Sequence, residues 1–336
     1  MSDFTLNEIH SQPEVWQQII ELCEKQEFPK ITEWMRNEQP VLTGSGSSFY
    51  LCLTAAACYT QLTHRRALAV SASDLCTFPD TSLPETEKFS LLAVSRNGKS
   101  AETVDAACWY SKSRAIKPIA ISTVTDSPLL EVCEAGLLLS PAAETSRYMT
   151  RSFTSPILAI QYLIASSTGN KDLKKELRRL PEIGAQVIKR CCSTVKFIAE
   201  QKEFTDYAGL GQGPYYGLAA ESMLKVQEMV RAPAHAYPSL EVMHGPHYLL
   251  SGKTLVSLLC SDGGKRYEPA LLQRMQSTRA CRFVICEKAS PEIVQNAEFV
   301  FELCSGLSEF ARLVLSMPVM QLFAYYRARA TGYALE

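Results

Sequence analysis

No run in the 336 residues stays apolar for the roughly 18 positions that a membrane-spanning helix needs. None of the 12 cysteines stands in a C-x-x-C pair. The first absence argues against a membrane protein, the second against a zinc ribbon or a thioredoxin-like redox centre. Charge of one sign is lacking too: 34 Lys and Arg stand against 35 Asp and Glu, a net charge of −1. Without a basic field the chain has no electrostatic grip on a polyanion, so neither nucleic acid nor an anionic membrane surface is an expected partner. The first twenty residues lack the basic and then apolar pattern of a secretory signal, since Glu8, Pro13 and Glu14 fall within them. Many of the cysteines sit in apolar runs such as SLLC and FVIC and read as small buried hydrophobes kept reduced. Together these absences lead to the expectation of a cytoplasmic protein with no metal and no cofactor.

What is present is enough apolar residue for a large core, at 46% hydrophobic, and a recurring order of elements. QPVLTGSGSSFYLCLTAAACYTQL reads as strand, Gly/Ser turn and helix, and KFSLLAVSRNGKSAETVDAACWYSKS repeats the order. The pattern restarts with FTDYAGLGQGPYYGLAAESMLKVQEM and KTLVSLLCSDGGKRYEPALLQRM. Strands alternating with helices predict an α/β fold in two domains of similar plan, each a mainly parallel sheet with helices on both faces. The expected boundaries are a helical lead-in over 1–38, a first domain over 39–170, a helical linker over 171–200 and a second domain over 201–336. A helix from about Glu309 to Ala330 closes the second domain. In such sheets ligands lie beyond the carboxyl ends of the strands, so the loops after strands carry the chemistry.

The loop Gly44-Ser45-Gly46-Ser47-Ser48 resembles a dinucleotide fingerprint, but Phe49 stands where the third glycine belongs. It offers hydroxyls (Ser45, Ser47, Ser48) ahead of a helix whose free N–H groups favour an anion. The loop Ser95-Arg96-Asn97-Gly98-Lys99-Ser100 repeats the device with hydroxyls, an amide and two cations. Serine and asparagine are also common N-caps, and capping is the plain alternative. Two such loops in adjacent units favour a small phosphorylated ligand over a nucleotide.

After Gly209-Leu210-Gly211-Gln212-Gly213, the residues Glu221, Lys225 and Glu228 fall at i, i+4 and i+7, one face of a helix. Two carboxylates then flank one ammonium, which is either a surface ion-pair ladder or part of a site beneath the glycine-rich loop. Downstream, His244 precedes a Gly-Pro break and suits proton transfer near neutral pH. His244 and His247 as a metal pair lack a third ligand at a recognised spacing.

The stretches GSGSS, SRNGKSAETV, ETSRYMTRSFTSPILA, GLGQGPYYGLAAESMLKVQEM and SLEVMHGP, in that order, resemble the tandem SIS (sugar isomerase) domain proteins. This family includes the isomerase half of glucosamine-6-phosphate synthase, tagatose-6-phosphate ketose/aldose isomerases and fructosamine-6-phosphate deglycases. The resemblance covers about residues 40 to 325 and implies two flavodoxin-like three-layer α/β sandwiches. It also implies that Ser45, Ser47, Ser48, Ser95, Arg96, Asn97 and Ser100 hold a sugar phosphate. Glu228 falls at the family's enolisation base, with Glu221 and Lys225 beside it, and His244 at the histidine that assists ring opening. In the synthase that histidine comes from the other subunit, so a homodimer with the active site at the subunit interface is implied. The expected activity is aldose/ketose isomerisation of a 6-phosphorylated, amino-bearing sugar, with or without deamination and without glutaminase activity. A fructosamine-6-phosphate deglycase and a non-catalytic sugar-phosphate-binding module are the alternatives.

Overall fold

The structure is a computed structural model and describes residues 3–25, 28–36, 39–201 and 204–335. Residues 1, 2, 26, 27, 37 and 38 of the expected lead-in, and 202, 203 and 336 of the expected second domain, lie outside the described residues. Ahead of the first strand come α1 (Phe4–His10), α2 (Gln12–Lys25) and α3 (Pro29–Arg36). The chain divides into two compact units. The amino-terminal unit holds residues 11–145 and 151–181, and the carboxy-terminal unit holds 3–10, 146–150 and the described residues from 182 onward. The expected lead-in is therefore shared, α1 falling in one unit and α2 and α3 in the other.

In the amino-terminal unit the strands are β1 (Gln39–Gly44), β2 (Leu68–Ser71), β3 (Phe89–Val94), β4 (Ile119–Ser122) and β5 (Ala135–Leu138). Between and after them run α4 (Ser47–Thr63), α5 (Ala72–Thr77), α6 (Pro79–Ser82), α7 (Ala101–Arg114), α8 (Pro128–Val132), α9 (Arg151–Ser167) and α10 (Lys171–Leu177). All pairings are parallel, in the order β2-β1-β3-β4-β5. Parallel strands covered by helices are read as continuous apolar runs, and FSLLAV in β3 and IAIS in β4 are such runs. Helix α9 is buried from Ser152 to Ala165, and α2 packs on it, with Trp16 Nε1 donating to Thr154 Oγ1 at 2.9 Å.

The carboxy-terminal unit has α11 (Leu180–Ala199) from residue 182 onward, β6 (Asp206–Gly211), α12 (Pro214–Lys225), β7 (Ala234–Pro238), β8 (Thr254–Leu259), α13 (Glu268–Met275), β9 (Cys281–Cys286), α14 (Pro291–Asn296), β10 (Phe299–Glu302), α15 (Glu309–Arg312) and α16 (Ser316–Ala330). Its sheet is also wholly parallel, in the order β7-β6-β8-β9-β10. Position for position this is the order of the first sheet, so the internal repeat read from the sequence exists in the topology. An α/β fold with two parallel five-stranded sheets flanked by helices is what the alternation predicts. Among the described residues no helix is long and apolar enough to cross a membrane.

In each sheet the strand order reverses beside the first strand, between β1 and β3 and again between β6 and β8. Doubly wound sheets open a crevice at that switch point, beyond the carboxyl ends of the strands. The loops that flank the two crevices are those the sequence singles out.

Candidate functional site

Helix α4 approaches β1 and β3 closely because Gly44 has no side chain. A Cβ there would lie 2.8 Å from Ser48 Cβ and 2.9 Å from the Val94 carbonyl, so only glycine lets the turn close over the end of β3. The N-cap of α4 is Gly46, at φ 55° and ψ −127°, a left-handed conformation that glycine adopts at no steric cost. The equivalent N-cap of α12 is Gly213, at φ 57° and ψ −125°. The two units therefore share a turn as well as a strand order.

In the amino-terminal crevice Ser47 and Ser48 are buried and Ser45 is half-buried, its Oγ 3.4 Å from Thr103 Oγ1 of α7. From the second loop, buried Ser95 places its Oγ 3.3 Å from Ser100 Oγ. The capping alternative can be decided for Ser100: it is the N-cap of α7, yet its side chain makes no capping bond. Elsewhere serines do cap, Ser71 accepting from Asp74 N and Ser290 from Ile293 N. Asn97 is exposed and accepts from Lys99 N at 3.1 Å, so its oxygen shapes the loop. The Arg96 carbonyl accepts from Thr123 N and Thr123 Oγ1, both at 2.9 Å, and from Ser122 Oγ at 3.2 Å. Its guanidinium lies 3.6 Å from the carboxylate of Glu144.

Glu144 and Thr103 are residues that the sequence reading does not assign. Thr103 follows Ser100 by three positions on a helix, a spacing that places both at the same end. Glu144 stands shortly ahead of the helix that begins at Arg151, where a carboxylate finds free N–H groups.

In the carboxy-terminal unit Lys225 Nζ lies 3.2 Å from Glu221 Oε1 and 2.5 Å from Glu228 Oε2. The lysine side chain is 1% exposed and that of Glu221 is 0% exposed, whereas Glu228 is 37% exposed. The surface-ladder alternative is thereby excluded for the inner pair. Burial alone would lower the Lys225 pKa, but the two carboxylates outweigh it and hold the ammonium above its ordinary range. Directly after Lys225 the helix widens into a π turn, Val226–Val230, which contains Glu228. Such turns are rare and recur at functional sites. The result is one carboxylate within reach of solvent, gripped by a buried ammonium that a second, buried carboxylate backs.

His244 is exposed on a turn between two 3-10 segments, Glu241–Met243 and Pro246–Leu249, followed by Gly245 at φ 125°. No hydrogen bond or ion pair joins it to Glu221, Lys225 or Glu228 among the described residues. His247 packs its ring against Tyr248, with centroids 4.1 Å apart. Burial pushes the thiols of Cys23, Cys58, Cys133, Cys281 and Cys286 up to about 12, which keeps them unreactive.

The crevice between β6 and β8 differs from its counterpart. Where α4 begins with Ser47 and Ser48, α12 begins with Pro214 and Tyr215. The N–H groups of the loop after β8 are taken by the unit's own carboxylates: Ser261 N donates to Glu268 Oε1 at 3.0 Å and Asp262 N to Glu309 Oε1. The loop after β8 is thus filled by carboxylates of its own unit, whereas its counterpart after β3 is lined by the hydroxyls of Ser95 and Ser100.

The family model of the SIS domain matches residues 36–166, the segment from β1 to α9 that carries both hydroxyl loops. The isomerizing glutamine–fructose-6-phosphate aminotransferase of Pyrobaculum aerophilum is 24% identical over 339 residues, covering 98% of this chain and 55% of the relative. That of Sulfurisphaera tokodaii is 25% identical over 336 residues, covering 98% and 54%. The chain thus spans about half the length of the curated relatives it matches. Among solved structures it is similar to the C-terminal domain of glucosamine-fructose-6-phosphate aminotransferase from Francisella tularensis, with TM-score 0.83 and 19% identity over 100% of this chain and 98% of that one. Glucosamine-6-phosphate deaminase from Thermotoga maritima gives 0.81 and 23% over 99% and 96%. Tagatose-6-phosphate ketose/aldose isomerase from Escherichia coli gives 0.83 and 20% over 98% and 94%. Residues 36–166 therefore match the SIS domain, and the chain as a whole shares the fold of these three solved structures.

Proposed function

We propose that this protein binds a 6-phosphorylated sugar and interconverts its aldose and ketose forms, the sugar being an amino sugar that is isomerised with or without loss of ammonia. The observation that carries the reading is the pair of loops at one switch point, whose hydroxyls (Ser48, Ser95, Ser100) are gathered at two helix N-termini, with Ser100 not spent on capping. Hydroxyls, helix N–H groups and the Arg96 guanidinium match the three acceptor oxygens of a phosphate monoester. Ser45, Ser47 and Asn97 complete the set.

The chemistry is assigned to Glu228. Isomerisation moves a proton between C1 and C2 through an enediol or enolamine, and a carboxylate does this by taking the proton from one carbon and returning it to the other. Lys225 positions that carboxylate through a 2.5 Å contact, and Glu221 holds Lys225. His244, exposed on its turn, is assigned to ring opening. A homodimer in which one copy's His244 serves its partner's substrate belongs to the same proposal, as does a second SIS-type domain in the carboxy-terminal unit. The repeated strand order supports the latter, and exposed Leu240, Tyr248 and Leu249 near His244 offer apolar surface to a second copy.

The test is incubation in deuterated water with the 6-phosphates of glucosamine, galactosamine, fructose, tagatose and a fructosamine, followed by NMR. Deuterium entering C1 or C2 supports the reading, and free ammonia marks deamination. Release of an amine with a sugar phosphate would replace it with a deglycase. Saturable binding with no exchange on any sugar would replace it with a regulatory module.

A further inference from the structure

We propose that Glu144 is a positioning residue of the phosphate loop, holding the Arg96 guanidinium in its binding orientation. The inference rests on the assignment of the two loops to a phosphate. The Glu144 side chain is 0% exposed and that of Arg96 is 25% exposed, so the pair has a buried anchor and a solvent-facing end. Glu144 Oε1 accepts from Ser152 N at 3.1 Å, and Oε2 accepts from Ser152 Oγ. Ser152 lies in the first turn of α9, where N–H groups have no intrahelical acceptor. The segment that carries Glu144 is itself tied down, Arg151 Nε donating to the Ala143 carbonyl at 3.1 Å and Arg151 Nη1 to Ser11 Oγ at 3.0 Å.

At the other end the Arg96 backbone is fixed by the three hydrogen bonds its carbonyl accepts from Ser122 and Thr123. A free arginine side chain loses rotamer entropy whenever it is immobilised on a ligand. Here that entropy is lost on folding, because main chain and guanidinium are both held before ligand arrives. The contact with Glu144 is made at Nη1, and the Arg96 side chain stays 25% exposed, so a ligand in solution can reach it. A carboxylate so close to an anion site would repel its ligand if unpaired; paired with Arg96 it sets direction instead.

The experiment titrates inorganic phosphate and fructose 6-phosphate into the wild type, Glu144→Gln, Arg96→Ala and the double variant, each checked for thermal stability. Glu144→Gln keeps an oxygen for Ser152 N and loses the charge that holds Arg96. We expect about tenfold weaker binding of both ligands in Glu144→Gln, and a double variant no weaker than Arg96→Ala, since the carboxylate acts through the guanidinium. On the panel sugar that turns over, KM rises by the same factor while kcat stays within about twofold, because anchoring energy is shared by ground and transition states. Losses that multiply in the double variant, or a stability loss with affinity unchanged, would overturn the positioning role. Wild type that binds neither ligand would overturn the loop assignment and this inference with it; wild-type binding matched by Glu144→Gln would overturn this inference alone. If Glu144→Gln does not fold, Glu144→Asp enters the same cycle, with a smaller weakening expected to vanish in the Arg96→Ala background.

Discussion

Replacing Lys225 by methionine removes the ammonium that contacts Glu221 on helix α12, and the cost follows from burial. The lysine and Glu221 are 1% and 0% exposed and 3.2 Å apart. Removing one partner of a buried pair costs about 3–5 kcal/mol, because the remaining charge keeps its desolvation penalty and loses its compensation. Glu228 is more than a third exposed, so its share is screened to below about 1 kcal/mol. The loss is therefore dominated by Glu221. At about 1.36 kcal/mol per power of ten, amides of β6 that open with the unit should exchange roughly 2.2 to 3.7 powers of ten faster in Lys225→Met. The double variant Glu221→Gln/Lys225→Met removes both charges, keeps similar volume, and should recover most of the protection. The folded-state pKa of Lys225 lies above its ordinary value, so its contribution is fully present below that ordinary value and is lost only as pH rises through the folded one. Exchange of β6 in Lys225→Met within about fivefold of wild type, or a double variant as labile as the single one, would refute the buried pair.

Glu228→Gln should abolish deuterium entry at C1 and C2, by at least about a hundredfold, while phosphosugar affinity stays within a few-fold; intact turnover would remove Glu228 from the base role. Mixing Glu228→Gln with His244→Gln protein should restore activity to about a quarter of wild type, if half the dimers are mixed and one of their two sites is intact, and no recovery would place both residues in one copy's site. Burial raises the Glu268 pKa, only partly opposed by hydrogen bonds from Ser261 and Cys260. A raised folded-state value means that stability is full below the ordinary carboxylate range and declines as pH rises through the folded value. Glu268→Gln, which keeps the oxygen that accepts from Ser261 N, should thus melt higher than wild type at neutral pH, with the gap closing toward pH 4; a gap independent of pH would refute this assignment.

Much of this was legible in the sequence for one physical reason. Strands covered on both faces must be apolar throughout, so runs such as FSLLAV and TLVSLL stand out, and the Gly/Ser punctuation after them marks the crevices. The spacing of Glu221, Lys225 and Glu228 likewise puts them on one face, as the ion pairs bear out. Spacing carries no information about burial, however, so a surface ladder and a buried array read alike until the helix is packed. The π turn at Val226–Val230 leaves no local signature, and the pairing of Arg96 with Glu144 spans a strand, two helices and a further strand. Only the fold brings those two together.

The least legible feature is also the most instructive one. SRNGKS and SDGGK look like two copies of one loop, and the strands they follow, β3 and β8, hold equivalent places in their sheets. What separates them is the side chains that satisfy the loop. In the amino-terminal unit the neighbours are hydroxyls, which can donate to an incoming anion. In the carboxy-terminal unit Glu268 and Glu309 already accept from the N–H groups of Ser261 and Asp262, and a second anion there would meet two carboxylates. A duplicated backbone can thus divide its labour by substituting a few acceptors. On the proposed function, one copy would keep the phosphate cradle and the other would carry the reactive carboxylate on its helix, at Glu228. On this argument, placing serines at Pro214 and Tyr215 would not by itself create a second phosphate site, because the carboxylates of Glu268 and Glu309 would still fill the facing loop.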